Sequence, residues 1–104
     1  MNKTVLVLDP RPGVRARTMQ MLEQLEVEAV AEPSATHALQ QLLQDEPAGL
    51  VVSPQLNNLS GEGLLALARS FRPKIETVVI EHPDQDRGPL ENFVRRVKAR
   101  LQGK

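Results

Sequence analysis

The sequence predicts an α/β domain of three layers, a four-stranded parallel sheet with helices on both faces. Three observations carry that prediction. Short β-branched and leucine runs alternate with longer segments whose apolar residues recur at helical spacing, giving the order β-α-β-α-β-α-β-α. The first and third runs, Val5-Leu6-Val7-Leu8 and Leu50-Val51-Val52, are continuously apolar, as strands buried on both faces are. The connections are a few residues each, and strict alternation of this kind winds right-handed into parallel crossovers. No internal repeat, low-complexity segment or linker interrupts the pattern, and 104 residues suit one small core, so residues 1–104 are expected to form a single domain.

The chain opens with a strand over residues 4–8 that Asp9-Pro10 closes. Pro12 and Gly13 lead into a helix with Val14, Thr18, Met21, Leu22 and Leu25 on one face, while Arg15, Arg17 and Glu23 stay in water. A second strand, residues 27–31, alternates apolar and polar side chains in part and reads as a half-buried edge. Ser34 is a plausible N-cap for a helix carrying Ala35, Ala38, Leu39, Leu42 and Leu43 until Asp45-Glu46-Pro47 ends it. The third strand delivers Ser53 to a loop, and Gly61 and Gly63 open a helix with Leu64, Leu67, Ala68 and Phe71 on one face, stopped near Pro73. A fourth strand is expected from about Thr77 to Glu81. The polar loop 82–88 follows, and Pro89 suits the first position of a last helix, 89–102, whose apolar face is Leu90, Phe93, Val94, Val97 and Leu101.

Composition excludes several classes. Thirteen basic and 13 acidic residues balance to a net charge of zero, which gives no general field toward nucleic acid or an anionic membrane. The absence of cysteine removes disulfides and thiolate metal sites. The apolar run near the N-terminus is shorter than a signal-peptide core and far short of a membrane span, so a cytoplasmic location is expected. His37 and His82 are isolated and expected at the solvated surface. Arg95, Arg96, Lys98, Arg100 and Lys104 make a basic end to the last helix that suits the helix dipole, and with Phe71 and Phe93 as the only aromatics there is no stacking platform for single-stranded nucleic acid.

These residues carry a resemblance over nearly the whole chain. Val5-Leu6-Val7-Leu8-Asp9-Pro10-Arg11-Pro12, His37-Ala38-Leu39-Gln40-Gln41-Leu42 with Pro47, and Leu50-Val51-Val52-Ser53-Pro54-Gln55-Leu56-Asn57-Asn58-Leu59-Ser60-Gly61 resemble the first strand, second helix and acceptor loop of the receiver domains of bacterial two-component response regulators, the family of the chemotaxis regulator. The spacing from Ser53 to Gly61 is that family's spacing from acceptor aspartate to glycine. The resemblance implies a flavodoxin-like fold with strand order 2-1-3-4. Too few residues follow Glu81 for a helix, a strand and a final helix, which need roughly 35–40. The last helix is plain in the pattern, so the family's fourth helix and fifth strand are expected to be missing.

The family's chemistry uses two acids to hold Mg²⁺, an aspartate to accept a phosphoryl group, and a hydroxyl and a lysine to stabilise the added charge. By resemblance those positions are here Asp9, Pro10, Ser53 and Glu81, with no counterpart of the lysine. Pro10 offers no ligand, Ser53 forms no acyl phosphate, and Glu81 repels an incoming phosphoryl group. The implied pocket is degenerate, without metal or other cofactor, and Asp9 is left as a relic or a cap for the following helix.

The shortening leaves the fourth strand as a sheet edge with an apolar Val78-Val79-Ile80 centre, which natural proteins charge, cover or pair. Thr77, Val79, Leu90, Phe93, Val94, Val97 and Leu101 are therefore the expected interaction surface, and a homodimer is the expected assembly, through edge strands, last helices or exchange of the last helix. The competing expectation is that the last helix folds over the edge and leaves a monomer.

Two further likenesses give alternatives. Leu59-Ser60-Gly61-Glu62-Gly63 resembles the loop of anti-sigma-factor antagonist (STAS) domains, where a serine before a glycine is phosphorylated, although those domains begin with extra strands. Arg11-x-x-x-Arg15 and Asn58-x-Ser60-x-x-Gly63 resemble the two cyclic di-GMP motifs of PilZ domains. A nucleophile beside a base, a paired-carboxylate constellation, a phosphate-binding glycine loop of the usual spacing and a metal cluster are all missing from the sequence, so an interaction module is expected rather than an enzyme.

Overall fold

In the computed structural model, which describes residues 3–32, 34–57 and 59–103, the apolar runs become strands β1 (Val5–Leu8), β2 (Ala29–Glu32), β3 (Gly49–Val52) and β4 (Glu76–Val79). The helical patterns become α1 (Pro12–Gln24), α2 (Ala35–Gln44), α3 (Gly61–Phe71) and α4 (Arg87–Gln102). All strand pairs are parallel and the order is β2-β1-β3-β4, as expected from the sequence. Strand residues alternate faces, so each central strand feeds two cores. Val5, Val7 and Val51 pack under α1 and α4 against Met21, Leu22, Leu90, Phe93, Val94 and Val97. Leu6, Leu8, Leu50 and Val52 pack under α2 and α3 against Ala38, Leu42, Leu64, Leu65 and Ala68.

Several boundaries differ from expectation for local reasons. Val27 N–H bonds Leu22 O to close α1, and Glu26 takes a left-handed φ of 63°, so β2 begins at Ala29 rather than Val27. Strand β4 starts at Glu76, one residue early, and Glu81 falls beyond its end. Helix α4 starts at Arg87, and Pro89 sits inside its first turn, where a missing N–H costs nothing. On α3 the buried side chains are Leu64, Leu65 and Ala68, whereas Leu67 and Phe71 are 40% and 41% exposed. Leu43 of α2 is likewise exposed.

The last helix requires a correction. Leu90, Phe93, Val94 and Val97 are buried against the sheet of their own chain, so they are core and not an exposed contact surface. Helix α4 folds back because Asp86 Oδ2 accepts the N–H groups of Glu81 and His82 at 2.9 and 3.1 Å, which tightens the turn between β4 and α4. Thr77, Val79 and Leu101 remain half-exposed. Both histidines are exposed, as expected.

A second tie holds that turn to α1, where Arg17 forks onto Asp84 with Nη2 to Oδ1 at 2.7 Å and Nε to Oδ1 at 3.1 Å. The Arg17 hydrogen bonds hold the Asp84 carboxyl below its ordinary value, with the Arg17 and Arg87 charges acting in the same direction. A carboxylate depressed in the folded state contributes stability above its unfolded pKa and loses it as pH falls through the folded value. Nuclear magnetic resonance titration of Asp84 is expected to show a midpoint below the usual carboxylate range that returns toward it in Arg17→Gln. Both groups are open to solvent, so the thermal midpoint should barely move.

Candidate functional site: the end of the sheet at Asp9, Ser53 and Glu81

The carboxyl ends of adjacent parallel strands open onto one loop-lined edge, where ligands of α/β sheets collect. Leu8 pairs with Val52 and Ser53 N–H bonds Leu8 O at 3.0 Å, which sets Asp9 beside Ser53. Ile80 N–H bonds Val52 O at 2.8 Å, which brings Glu81 to the same end. Asp9 and Ser53 are 4% and 3% exposed, whereas Glu81 lies in solvent.

Asp9 is engaged by its own neighbours. Its Oδ1 accepts the Arg11 main-chain N–H and Nε, both at 2.9 Å, and its Oδ2 accepts Arg11 Nη2 at 2.9 Å. The same Nη2 reaches Ile80 O at 3.5 Å, so the guanidinium bridges the ends of β1 and β4. Arg15 Nη1 donates to the Asp9 main-chain oxygen at 2.9 Å. The side-chain hydrogen bonds to Asp9, with the charges of Asp9 and Glu81, raise the Arg11 pKa above its ordinary value despite some desolvation. The guanidinium is a permanent cation seated on the acid of the pocket.

Ser53 is turned away from this ion pair. Its Oγ donates to Gln55 O at 3.1 Å and accepts Gln55 N–H at 3.3 Å, a local turn within its own loop. Leu56 N–H to Leu59 O and an antiparallel bridge between Gln55 and Ser60 then bring Gln55-Leu56 against Leu59-Ser60. Gly61 returns the chain so closely that a Cβ there would lie 2.1 Å from Ser53 O, which only glycine permits.

A divalent cation wants six or more hard oxygens, several of them carboxylate. One carboxylate already forked by a guanidinium, a proline and a neutral hydroxyl do not fit it. Among the described residues no group of three or more His, Cys, Asp or Glu side chains converges as a metal site.

The residues of the cyclic di-GMP likeness do not form a phosphate cradle. Arg11 and Arg15 are engaged at Asp9, Ser60 Oγ accepts Gly63 N–H at 3.0 Å as the α3 cap, and Asn58 lies outside the described residues. The element order, strand to helix from the start, is not that of the antagonist likeness either. The fork of Arg11 on Asp9 was missed in the sequence reading, although Asp9-Pro10-Arg11 is the spacing at which an aspartate bonds the N–H two residues on.

No protein-family model matches the chain, and no curated protein matches it. Solved structures do. A CheY-like response regulator receiver domain protein from Methanospirillum hungatei JF-1 superposes with a TM-score of 0.80 at 18% identity, covering all of both chains. A receiver domain protein from Clostridium thermocellum gives 0.78 at 16% identity over 95% of this chain and 96% of that one. The signal receiver domain of a Luxo repressor protein from Vibrio parahaemolyticus gives 0.77 at 12% identity over 100% and 98%. The chain therefore has the fold of CheY-like receiver domains, and the likeness is one of fold.

Proposed function

We propose that this chain is a phosphorylation-independent interaction module of cytoplasmic signalling, a pseudo-receiver that associates with itself and is not an enzyme. The observation that supports the reading best is the Arg11 guanidinium on Asp9, because it places an internal cation where the resemblance calls for Mg²⁺. A receiver that needs no metal and carries Ser53 in the acceptor position has no acyl phosphate to make, and its surface is constitutive. The described residues also include no helix long and apolar enough to cross a membrane.

The reading is tested by incubating the chain with Mg²⁺ and a small acyl-phosphate donor. No mass increase, an unchanged thermal midpoint with Mg²⁺ and an unchanged solution mass by light scattering are the expected results. A covalent phosphoryl adduct on Ser53 or on any aspartate would overturn it.

A further inference from the structure

The two edges of the sheet carry opposite charge at the same end and on the same face. Within a strand, the N–H and C=O of one residue point to the same side and those of the next residue to the other. Ile80 N–H faces β3, so Thr77 and Val79 present their main-chain groups outward from β4. Val5 N–H bonds Glu28 O, so Ala29 and Ala31 present theirs outward from β2. Among the described residues no strand covers either row.

Cations cluster at the β4 edge. Arg96 bonds Glu76 Oε1 at 2.9 Å and Thr77 O at 3.3 Å, and Arg100 donates to Lys74 O, with Lys74 itself exposed. Beside β2 lies a cleft of about 680 Å³ between that strand and α1, with Met19, Val27 and Ala29 among its walls and Glu23, Glu26 and Glu28 exposed around it. Lys3 and Lys98 approach Glu26 and Glu28 from the neighbouring surface and offset part of that charge.

The positions correspond. Helices α1 and α4 cover the same face of the sheet. Glu23 is in the last turn of α1 and Glu28 precedes β2, while Lys74 precedes β4 and Arg100 is in the last turn of α4, so all four lie at the end where strands begin. Glu76 offsets Arg96 within the β4 edge, and pairing β4 of one copy with β2 of the next in parallel sets Lys74 and Arg100 level with Glu23, Glu26 and Glu28. A two-fold pairing of β4 with β4, or of β2 with β2, runs the edge strands antiparallel and leaves the basic start of β4 away from the Glu23, Glu26 and Glu28 cluster.

We infer that copies of this chain associate head to tail, β4 of one extending the sheet at β2 of the next, with α4 of the first beside the α1–β2 cleft of the second. The inference rests on the self-association proposed above and gives it a geometry. Such an interface uses two different patches, so assemblies grow with concentration instead of stopping at a dimer. The charges are exposed, and salt screens them, since the Debye length falls from about 10 Å at 0.1 M to about 3 Å at 1 M.

The test is light scattering of the intact chain over a concentration series at low and high salt, together with two surface variants checked for fold by circular dichroism. Glu23→Gln/Glu28→Gln weakens the acidic edge and Lys74→Gln/Arg100→Gln the basic one. The intact chain is expected to pass beyond dimer mass at low salt and to fall back at high salt. Each variant alone is expected to stay monomeric, and an equal mixture to double in mass and grow no further. An intact chain that saturates at dimer mass, or a mixture that stays monomeric while the intact chain grows, overturns the head-to-tail arrangement and leaves self-association standing. A monomer at every concentration and salt removes self-association itself.

Discussion

Phe93→Ala should lower the stability of the fold by about 3–5 kcal/mol, the range for a buried phenylalanine. The ring is fully buried. It rests on Gly49 of β3, so closely that a Cβ built on that glycine would come within 2.6 Å of Phe93 Cζ. Removing the ring opens a void with a bare backbone as one wall, and β3 cannot move to fill it because it is hydrogen-bonded on both sides. The upper part of the range is therefore expected. Natural domains hold only about 5–15 kcal/mol in total, and a domain of this size loses roughly 4–8 °C of thermal midpoint per kcal/mol, so thermal unfolding by circular dichroism should move by well over 10 °C. Gly49→Ala supplies a control with a change of sign. Alone it overpacks against the ring and should cost about 1–3 kcal/mol, whereas in the Phe93→Ala background its methyl enters the void and should restore part of the loss.

Arg11→Met should cost about 1–3 kcal/mol, more than Asp9→Ala at the same ion pair. The asymmetry follows from burial: the Asp9 side chain is 5% exposed and that of Arg11 is 36%. Removing the arginine side chain leaves a buried carboxylate that keeps only the main-chain N–H of residue 11 and has little water to replace its charged partner, while removing the carboxylate leaves a guanidinium that solvent already reaches. The exposure of Arg11 is also the reason to expect less than the full cost of breaking a buried pair. Arg15 donates to the Asp9 main-chain oxygen and keeps its bond in both variants. The double variant, with neither charge present, is expected to be closer to the parent than Arg11→Met is, and urea unfolding of the four proteins measures the cycle.

The parallel sheet was legible because Val5-Leu6-Val7-Leu8 and Leu50-Val51-Val52 are apolar without interruption, as strands covered on both faces are, and its order followed from the receiver resemblance. Side-chain placement on the helices was less legible. Leu64, Leu65, Leu67, Ala68 and Phe71 spread around more of α3 than the sheet can cover, so spacing alone chose Leu67 and Phe71 where the packing chose Leu65. The stripe on α4 was read correctly as apolar and wrongly placed outside. Periodicity states that a face needs a partner, and the packing of Leu90, Phe93, Val94 and Val97 against Val5, Val7 and Val51 shows that the partner is the chain's own sheet. At the site, Asp9, Ser53 and Glu81 follow from their places after three strands. Arg11 does not, because a contact two residues apart leaves no periodic mark. Pro10 and Pro12 flank it, and the residue's extended backbone, φ −90° and ψ 110°, accompanies the turn of its side chain back onto the acid.

Asp9, Pro10 and Arg11 are consecutive, so the acid, the residue that offers no ligand and the cation that closes the pocket belong to a single tripeptide. Both apolar layers are built from other residues of the chain. For a protein engineer this makes the end of β1 a modular cassette: three codons decide whether that mouth of the scaffold is plugged or open, and they can be rewritten without redesigning either layer.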